Sequence, residues 1–236
     1  AGLRPIILER GDDARTRTEK VKAMRARGEL DPESNIQFGE GGAGAFSDGK
    51  LTTGVKDPRI PWVLEQLVRA GAPEDILVEA KPHIGTDLLP GVCAGIRRRI
   101  TELGGEVRFR QKLVGLERDD RGNLAAALTE TDRIPCSALI LAIGHSARDT
   151  FETLCKLSIP MAPKAFAMGL RIEHLQADTD RAQYGAFAGH PSLPPADYSL
   201  AVTLPDGRRC YTFCMCPGGE VVPAASEEGL LCVNGA

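Results

Sequence analysis

The chain of 236 residues is long enough for one large domain, or for two smaller ones that each bury a core. Its 42% hydrophobic and 26% charged residues exclude a disordered tail and a fibrous repeat. The formal net charge of −3 offers no large basic field, which disfavours nucleic acid and anionic lipid as partners.

The apolar runs and the cysteine spacing both favour a soluble protein with reduced thiols. The longest apolar run, residues 137–143, is far shorter than the roughly 20 residues that a membrane helix needs, and no signal peptide opens the chain. The seven cysteines are odd in number and lack paired CxxC spacing, which favours reduced thiols over a disulfide framework. We therefore expect a soluble cytoplasmic protein without a membrane segment.

The first elements in chain order are a strand, a helix and a loop. Residues 5–8 form an apolar run that predicts a strand ending at Glu9. Asp12 or Asp13 can cap a charged helix that runs to about residue 27, where Gly28 ends it. Residues 39–54 then hold six glycines, which is typical of a loop lying against a ligand.

The remaining elements alternate between helical and strand-like spacing. Helices are predicted at 61–70 and 92–103, and at 146–157 with Ser146 as the cap. Strands are predicted at 106–110, 113–118, 124–129, 134–143, 165–173, 198–204, 208–214 and 221–222. A turn at 119–123 joins two of these strands into an antiparallel pair, and the apolar run 134–143 predicts a buried parallel strand.

Both ends of the chain suggest a fragment. The first residue is Ala1 rather than Met, and a predicted strand follows almost at once. The last residues, 230–236, form another apolar run without a polar tail. We therefore expect that the chain lacks both ends, and that the strands at 5–8 and 139–143 have exposed edges and favour aggregation.

Three segments could hold a dinucleotide. Glu9 ends the first strand, where an acid can accept both ribose hydroxyls. Residues 39–44 satisfy GxGxxG, but they do not follow a strand and open a helix, so we reject them as a Rossmann fingerprint. That loop can still present backbone N–H groups, with Ser47 and Lys50 adding a donor and a charge. The apolar run 137–143 leads into Gly144 and a helix, and ligands bind at such strand ends.

Together these segments resemble the FAD-dependent dehydrogenases of the two-dinucleotide-binding flavoprotein superfamily, most closely its uncharacterised NAD(FAD)-utilising branch. The most specific match is the stretch GGAGAFSDGKL at residues 41–51. GGEVRF at 104–109 is similar to the family's GGxVxF segment, and Ala142-Ile143-Gly144 resembles its A-T-G strand end, with Ile in place of Thr.

The resemblance implies an α/β fold. Residues 1–160 would be a partial Rossmann-like FAD-binding domain whose first strand and GxGxxG are absent, and residues 161–236 would be part of a β-rich substrate or cap domain. The residues implied to contact FAD are Glu9, Arg10, Gly41, Gly42, Ala43, Gly44, Ser47, Asp48, Gly49, Lys50, Leu51, Leu113, Ala142, Gly144 and His145. Without the missing GxGxxG, the fragment alone is expected to bind FAD weakly and to be inactive.

Four side chains are candidates for the chemistry itself. His83 and His145 could each move a proton at neutral pH, although structural hydrogen bonding is the more common role. Cys214 and Cys216 could form a redox pair, although buried structural cysteines are more common. A metal site is disfavoured because the sequence has no second Cys/His pair with matching spacing.

The sequence therefore favours an FAD-dependent oxidoreductase of the dehydrogenase or reductase type, with NAD(P)H as a possible electron donor. Hydrolase, zinc-protease and P-loop motifs are absent from the sequence. Two alternatives remain open: a non-catalytic flavin- or nucleotide-binding module, and a flavin monooxygenase. The substrate and the oligomeric state are not indicated.

Overall fold

The computed structural model describes residues 2–46 and 49–235 as a mixture of helices and small sheets. The chain divides into two compact units. Unit 1 contains the residues up to Ala167 together with Ala224–Cys232, and unit 2 contains Met168–Pro223 together with the residues from Val233 onward.

Unit 1 contains five strands and four α-helices among its described residues. In chain order they are β1 (Ile6–Leu8), α1 (Ala14–Arg27), α2 (Ile60–Arg69), α3 (Leu89–Glu102), β2 (Glu106–Arg108), β3 (Leu113–Arg118), β4 (Leu124–Thr129), β5 (Arg133–Pro135) and α4 (Arg148–Lys156). Short 3₁₀ helices lie at Ala43–Phe46 and Glu74–Leu77.

Unit 2 is smaller and is built from short elements. They are α5 (Gln176–Tyr184), a 3₁₀ turn at Gly185–Phe187, β6 (Ala201–Thr203), β7 (Arg209–Tyr211), β8 (Val221–Pro223) and β9 (Val233–Gly235). β6 pairs with β7 and β8 with β9, both antiparallel. Helix α5 lies between two predicted strands, in residues for which the sequence predicted no element.

Helix α1 confirms its predicted boundaries. Asp13 caps its first turn by accepting hydrogen bonds from the backbone N–H groups of Arg15 and Thr16. Gly28 ends it in the left-handed conformation, with φ of 72°, and its N–H donates to the carbonyl oxygen of Met24. Both signals are local, so the sequence alone was sufficient.

The sheets of unit 1 are a parallel pair and an antiparallel ribbon. β1 pairs with β2 in parallel, from Ile6 beside Glu106 to Leu8 beside Arg108. β3 and β4 form the predicted antiparallel pair, and β5 pairs with β4, also antiparallel rather than in the parallel arrangement predicted for the run 134–143. Asp119 stabilises the turn between β3 and β4 by accepting from the N–H groups of Arg121 and Asn123.

Two apolar clusters form the core of unit 1. One lies under α1 and the other joins α2 and α3 to the loop between them. Their buried members are Val21, Ile36, Ala45, Phe46 and Ala224 in the first, and Ala72, Ile76, Ile84, Leu89 and Val92 in the second. Since Ala45 and Phe46 directly follow Gly44 in the glycine-rich segment, the first cluster fixes this part of the segment to α1.

Two predicted strands are wrong. Of the run 134–143, only β5 is a strand, because its last ladder bond runs from the N–H of Cys136 to the carbonyl oxygen of Ala125 and no described strand pairs with the residues that follow. Ile140 is 90% exposed. Residues 165–173 form no strand either, and Leu170 is 94% exposed. Apolar character alone does not make a strand without a hydrogen-bonding neighbour.

The expected helix cap at Ser146 is also wrong. Helix α4 begins at Arg148 after Ala147, and no side chain caps it. The Ser146 hydroxyl is instead within 3.3 Å of the Gln37 side-chain oxygen. The serine therefore contacts a neighbouring loop and leaves the helix to begin without it.

Candidate functional site

The candidate site lies where β1 ends. We call residues 39–46 the glycine loop. Parallel strands commonly place a ligand at their carboxyl ends, and the loop begins there. One carboxylate oxygen of Glu9, Oε1, accepts hydrogen bonds from the N–H of Gly39 at 3.0 Å and of Gly11 at 2.8 Å. No described residue donates to the other oxygen, Oε2.

Arg17 on helix α1 organises the loop. Its side chain is fully buried and its guanidinium donates to five backbone carbonyl oxygens. The acceptors are Asn35 at 2.8 Å, Ile36 at 2.9 Å, Gly39 at 3.1 Å, Glu40 at 2.6 Å and Gly42 at 2.8 Å. The carbonyl groups of this segment therefore point inward toward one cation.

Among the described residues, the charged guanidinium of Arg17 hydrogen-bonds only to backbone carbonyl oxygens and forms no salt bridge. Burial lowers the pKa of its guanidinium to about 10, although the nearby charges of Glu9, Cys93 and Glu40 raise it. The group still carries its positive charge at neutral pH. Its carbon Cζ lies 4.8 Å from the centre of the Phe46 ring, a cation–π contact.

Sequence reasoning missed Arg17. An arginine in a charged helix is usually solvated, and nothing in the local pattern shows that the chain returns to surround it some twenty residues later. The only available signal was the glycine-rich segment itself, since a loop with many inward carbonyls needs a buried donor.

Further contacts hold the loop to α1 and α3. One oxygen of Glu40 accepts from the N–H of Ala14 at 2.7 Å, and the other lies 3.0 Å from Nε of Arg97. A Cβ placed on Gly41 would stand 2.8 Å from the sulfur of Cys93 on α3, so a larger residue does not fit there unless the Cys93 side chain moves. The loop is held from both sides.

The outer surface of the loop consists of backbone. Gly41, Gly42, Ala43 and Gly44 are all exposed. Within residues 2–46 and 49–235, no group accepts a hydrogen bond from the N–H of Gly41, Ala43 or Gly44. Gly41 and Gly42 have φ of 88° and 61°, the left-handed region that glycine adopts without strain. The result is a small surface of N–H donors whose one side chain is the methyl group of Ala43.

The end of the predicted FAD segment pairs with the loop that contains His83. The N–H of Leu51 donates to the carbonyl oxygen of Pro82 at 2.8 Å, and Lys50 and His83 form an isolated antiparallel bridge. Gly49 is buried and its carbonyl accepts from the N–H of Ile84 at 3.1 Å. Two predicted residues, Lys50 and His83, are thus neighbours. Ser47 and Asp48 lie outside the described residues.

Arg10 is occupied by protein partners. Its guanidinium donates to Glu33 at 2.8 Å and to both carboxylate oxygens of Asp149 at 2.9 Å, and it lies 4.0 Å from the centre of the Phe38 ring. Burial lowers the pKa of Arg10, but the hydrogen bonds to Glu33 and Asp149 outweigh it and raise the pKa overall. Leu113, another residue implied to contact FAD, is the first residue of β3 in unit 1 and is half-buried.

A second group of predicted residues borders an open apolar cleft of about 360 Å³. Ala142 and Gly144 line it together with Phe151 and Leu154 of α4. His145 is exposed beside them, and its ring meets Phe166 edge to face with 5.6 Å between the ring centres. The cleft lined by Ala142 and Gly144 could hold an apolar or planar group.

The cysteine pair lies in unit 2. Cys214 and Cys216 are half-buried thiols, and Cys214 has φ of 52°, which is unusual for a residue other than glycine.

Among the described residues no group of three or more His, Cys, Asp or Glu side chains could hold a metal ion. No described helix is long and apolar enough to cross a membrane.

Comparisons with known proteins point to an FAD-dependent protein family. A family model described as "FAD-dependent protein, C-terminal domain-like" matches residues 165–236. A curated protein of Clostridium beijerinckii, which carries the name "Uncharacterized protein", is 53% identical over 235 residues. That match covers 99% of this chain but 44% of the relative, so the chain spans less than half the length of that protein. The family match supports an FAD-dependent protein family and an FAD-associated role.

Proposed function

We propose that the protein is an FAD-dependent oxidoreductase of the dehydrogenase or reductase type, and that the glycine loop contacts the cofactor. The observation that carries the proposal is Arg17, which draws the carbonyl groups of the loop inward and leaves N–H groups on the outer surface. A dinucleotide offers phosphate oxygens and flavin ring acceptors to such donors. The buried positive charge behind the loop favours the same anionic ligand.

Glu9 fits the ribose role that the resemblance implies. Its Oε1 anchors the backbone at Gly11 and Gly39, which fixes the carboxylate in position. Its Oε2 would accept from the ribose hydroxyls, and a hydrogen bond to a charged acceptor contributes more than one to a neutral acceptor. Arg10 would act indirectly, because Glu33 and Asp149 already occupy its donors.

FAD would supply the hydride-transfer chemistry, and the residues of the chain would hold and orient the cofactor. The loop would hold the cofactor through N–H groups, while the cleft bordered by Ala142 and Gly144 would exclude water from an apolar part of a ligand. NAD(P)H is the proposed electron donor. The domain arrangement in which residues 1–160 form a partial Rossmann-like domain and residues 161–236 a cap is likewise part of the proposal.

A non-catalytic flavin- or nucleotide-binding module is the second candidate. It is favoured by the composition of the exposed loop, where residues 41–44 are Gly, Gly, Ala and Gly and offer no acid or base. Anaerobic addition of NAD(P)H to the purified full-length flavoprotein separates the two. An oxidoreductase loses its flavin absorbance and recovers it with an added acceptor, whereas a binding module keeps its absorbance. Inserted oxygen in the product would identify a monooxygenase.

The loop assignment has its own test in Gly44→Val. Gly44 does not need a positive φ, and a Cβ there meets nothing within 4 Å, so valine fits the fold but covers the N–H surface. We expect FAD affinity in the full-length protein to fall by at least about tenfold. Gly54→Val is the matched control, since Gly54 is equally exposed and unobstructed but lies outside the glycine loop. Equal affinities of both variants in a flavin titration would refute the assignment.

A further inference from the structure

The segment 214–219 of unit 2 places two thiols on a backbone that is fixed at several points. The carbonyl oxygen of Cys214 accepts a hydrogen bond from Nη1 of Arg171 at 2.7 Å. The carbonyl oxygen of Cys216 accepts from the N–H of Gly219 at 3.0 Å, and Gly218 with φ of 73° completes this turn. The N–H of Gly218 donates to the side-chain oxygen of Gln176 at 2.8 Å.

The side chain of Cys216 turns back toward Cys214. Its thiol donates to the Cys214 carbonyl oxygen over 3.8 Å, so its sulfur lies beside the peptide group of the other cysteine. Cys214 itself is held at φ of 52°. A non-glycine residue stays in that conformation only where its surroundings fix it, and such residues cluster at functional sites.

Arg171 brings a positive charge to the pair. A Cβ on Gly235 would stand 2.9 Å from the sulfur of Cys216 and 3.3 Å from Nη1 of Arg171, so both atoms border the same small space above this glycine. The other Arg171 nitrogen donates to Oδ1 of Asn234 at 3.2 Å, which holds the guanidinium in place. A fixed cation near a cysteine sulfur stabilises the thiolate, the form that reacts.

We propose that Cys214 and Cys216 form a redox-active dithiol that exchanges with small-molecule disulfides. The Cys216 thiolate attacks one sulfur of a disulfide R–S–S–R, whose S–S bond breaks and releases one RS⁻. The Cys214 thiolate then attacks the Cys216 sulfur, forms the Cys214–Cys216 bond and releases the second RS⁻. Two electrons pass from the protein to the small disulfide, and the two protons of the dithiol leave on two RSH molecules.

The proposal is independent of the flavin. Thiol exchange needs neither FAD nor a nicotinamide, so its test stands even if the proposed oxidoreductase activity fails. The chain also provides matched controls in Cys210 and Cys232, which are exposed cysteines outside the fixed segment.

The test treats the full chain with oxidised glutathione at pH 7, stops the reaction with acid, blocks remaining thiols with N-ethylmaleimide, and maps the peptides by mass spectrometry. We expect one disulfide between Cys214 and Cys216, a mass lower by about 2 Da for that pair, and no retained glutathione. Cys216→Ser should slow the reaction of this segment at least about tenfold, and Cys214→Ser should keep glutathione attached to Cys216.

The controls decide the outcome. Cys210→Ser and Cys232→Ser should form the same disulfide at the parent rate, and circular dichroism should show that all four variants are folded. Three results would overturn the proposal: glutathione remaining on the parent chain, a disulfide to Cys210 or Cys232 in place of the proposed one, or an unchanged rate in Cys216→Ser.

Discussion

Replacing Arg17 by methionine keeps much of the buried volume but removes the donors that hold the glycine loop. Five carbonyl oxygens lose their shared partner, and a buried acceptor left unpaired costs free energy. We expect the free energy of unfolding to fall by about 3–5 kcal/mol, as for breaking other buried charged networks. Urea denaturation followed by circular dichroism measures this change.

Arg25→Met is the control for that experiment. Arg25 lies on the same helix but is exposed, so its replacement should change the free energy of unfolding by less than about 0.5 kcal/mol. If both variants lose the same stability, Arg17 does not organise the loop. Arg17→Lys should recover only part of the loss, because an ammonium group has fewer donors and no planar fork.

A cluster of charges joins helix α1 to the turn that follows β2. Lys20 lies 2.7 Å from Asp31, and Arg110 reaches Asp12 at 2.8 Å and Asp31 at 2.5 Å. Burial raises the pKa of both aspartates, but hydrogen bonds to Lys20 and Arg110 outweigh it and lower both below the ordinary value of 3.8. Each carboxylate is therefore held in its charged form in the folded state.

Unit 1 should lose stability in acid. A carboxylate whose pKa is lowered by folding stabilises the protein above its unfolded pKa, and this contribution disappears as the pH falls through the folded value. We expect the midpoint of thermal unfolding to decrease steadily from about pH 5 downward. Asp31→Asn removes one such group and should flatten this dependence. An identical slope in the variant and the parent would contradict the assignment.

Elements with local signals could be predicted from the sequence. Asp13 and Gly28 define α1, and Asp119 and Asn123 define the turn between β3 and β4, because each forms its hydrogen bonds within a few residues. The strand at 134–143 failed because a strand requires a neighbour that no pattern of its own residues reveals. For the same reason the glycine loop was predicted but its anchor, Arg17, was not.

At the scale of the whole molecule, apolar side chains are unevenly covered. Ile134 in β5 is 5% exposed, whereas Ile140 only six residues later is 90% exposed. Ile134→Ser should lower the free energy of unfolding by about 2–4 kcal/mol, because it removes buried methyl groups and buries a hydroxyl. Ile140→Ser should change it by less than about 0.5 kcal/mol and should reduce aggregation. Urea titration and light scattering measure the two effects, and equal losses of stability would show that residue 140 is buried in solution.

The parallel pairing of β1 with β2 has a consequence for the order of folding. Ile6 and Glu106 are about 100 residues apart, so the chain loses conformational entropy in closing this long loop before β1 and β2 make stabilising contacts. The hairpin of β3 and β4 has only a short turn to close and should form first. Because Glu9 holds the first residue of the glycine loop only once β1 is in place, the loop should reach its final shape last. During refolding, the ability to bind a ligand there should therefore appear after most of the secondary structure has formed.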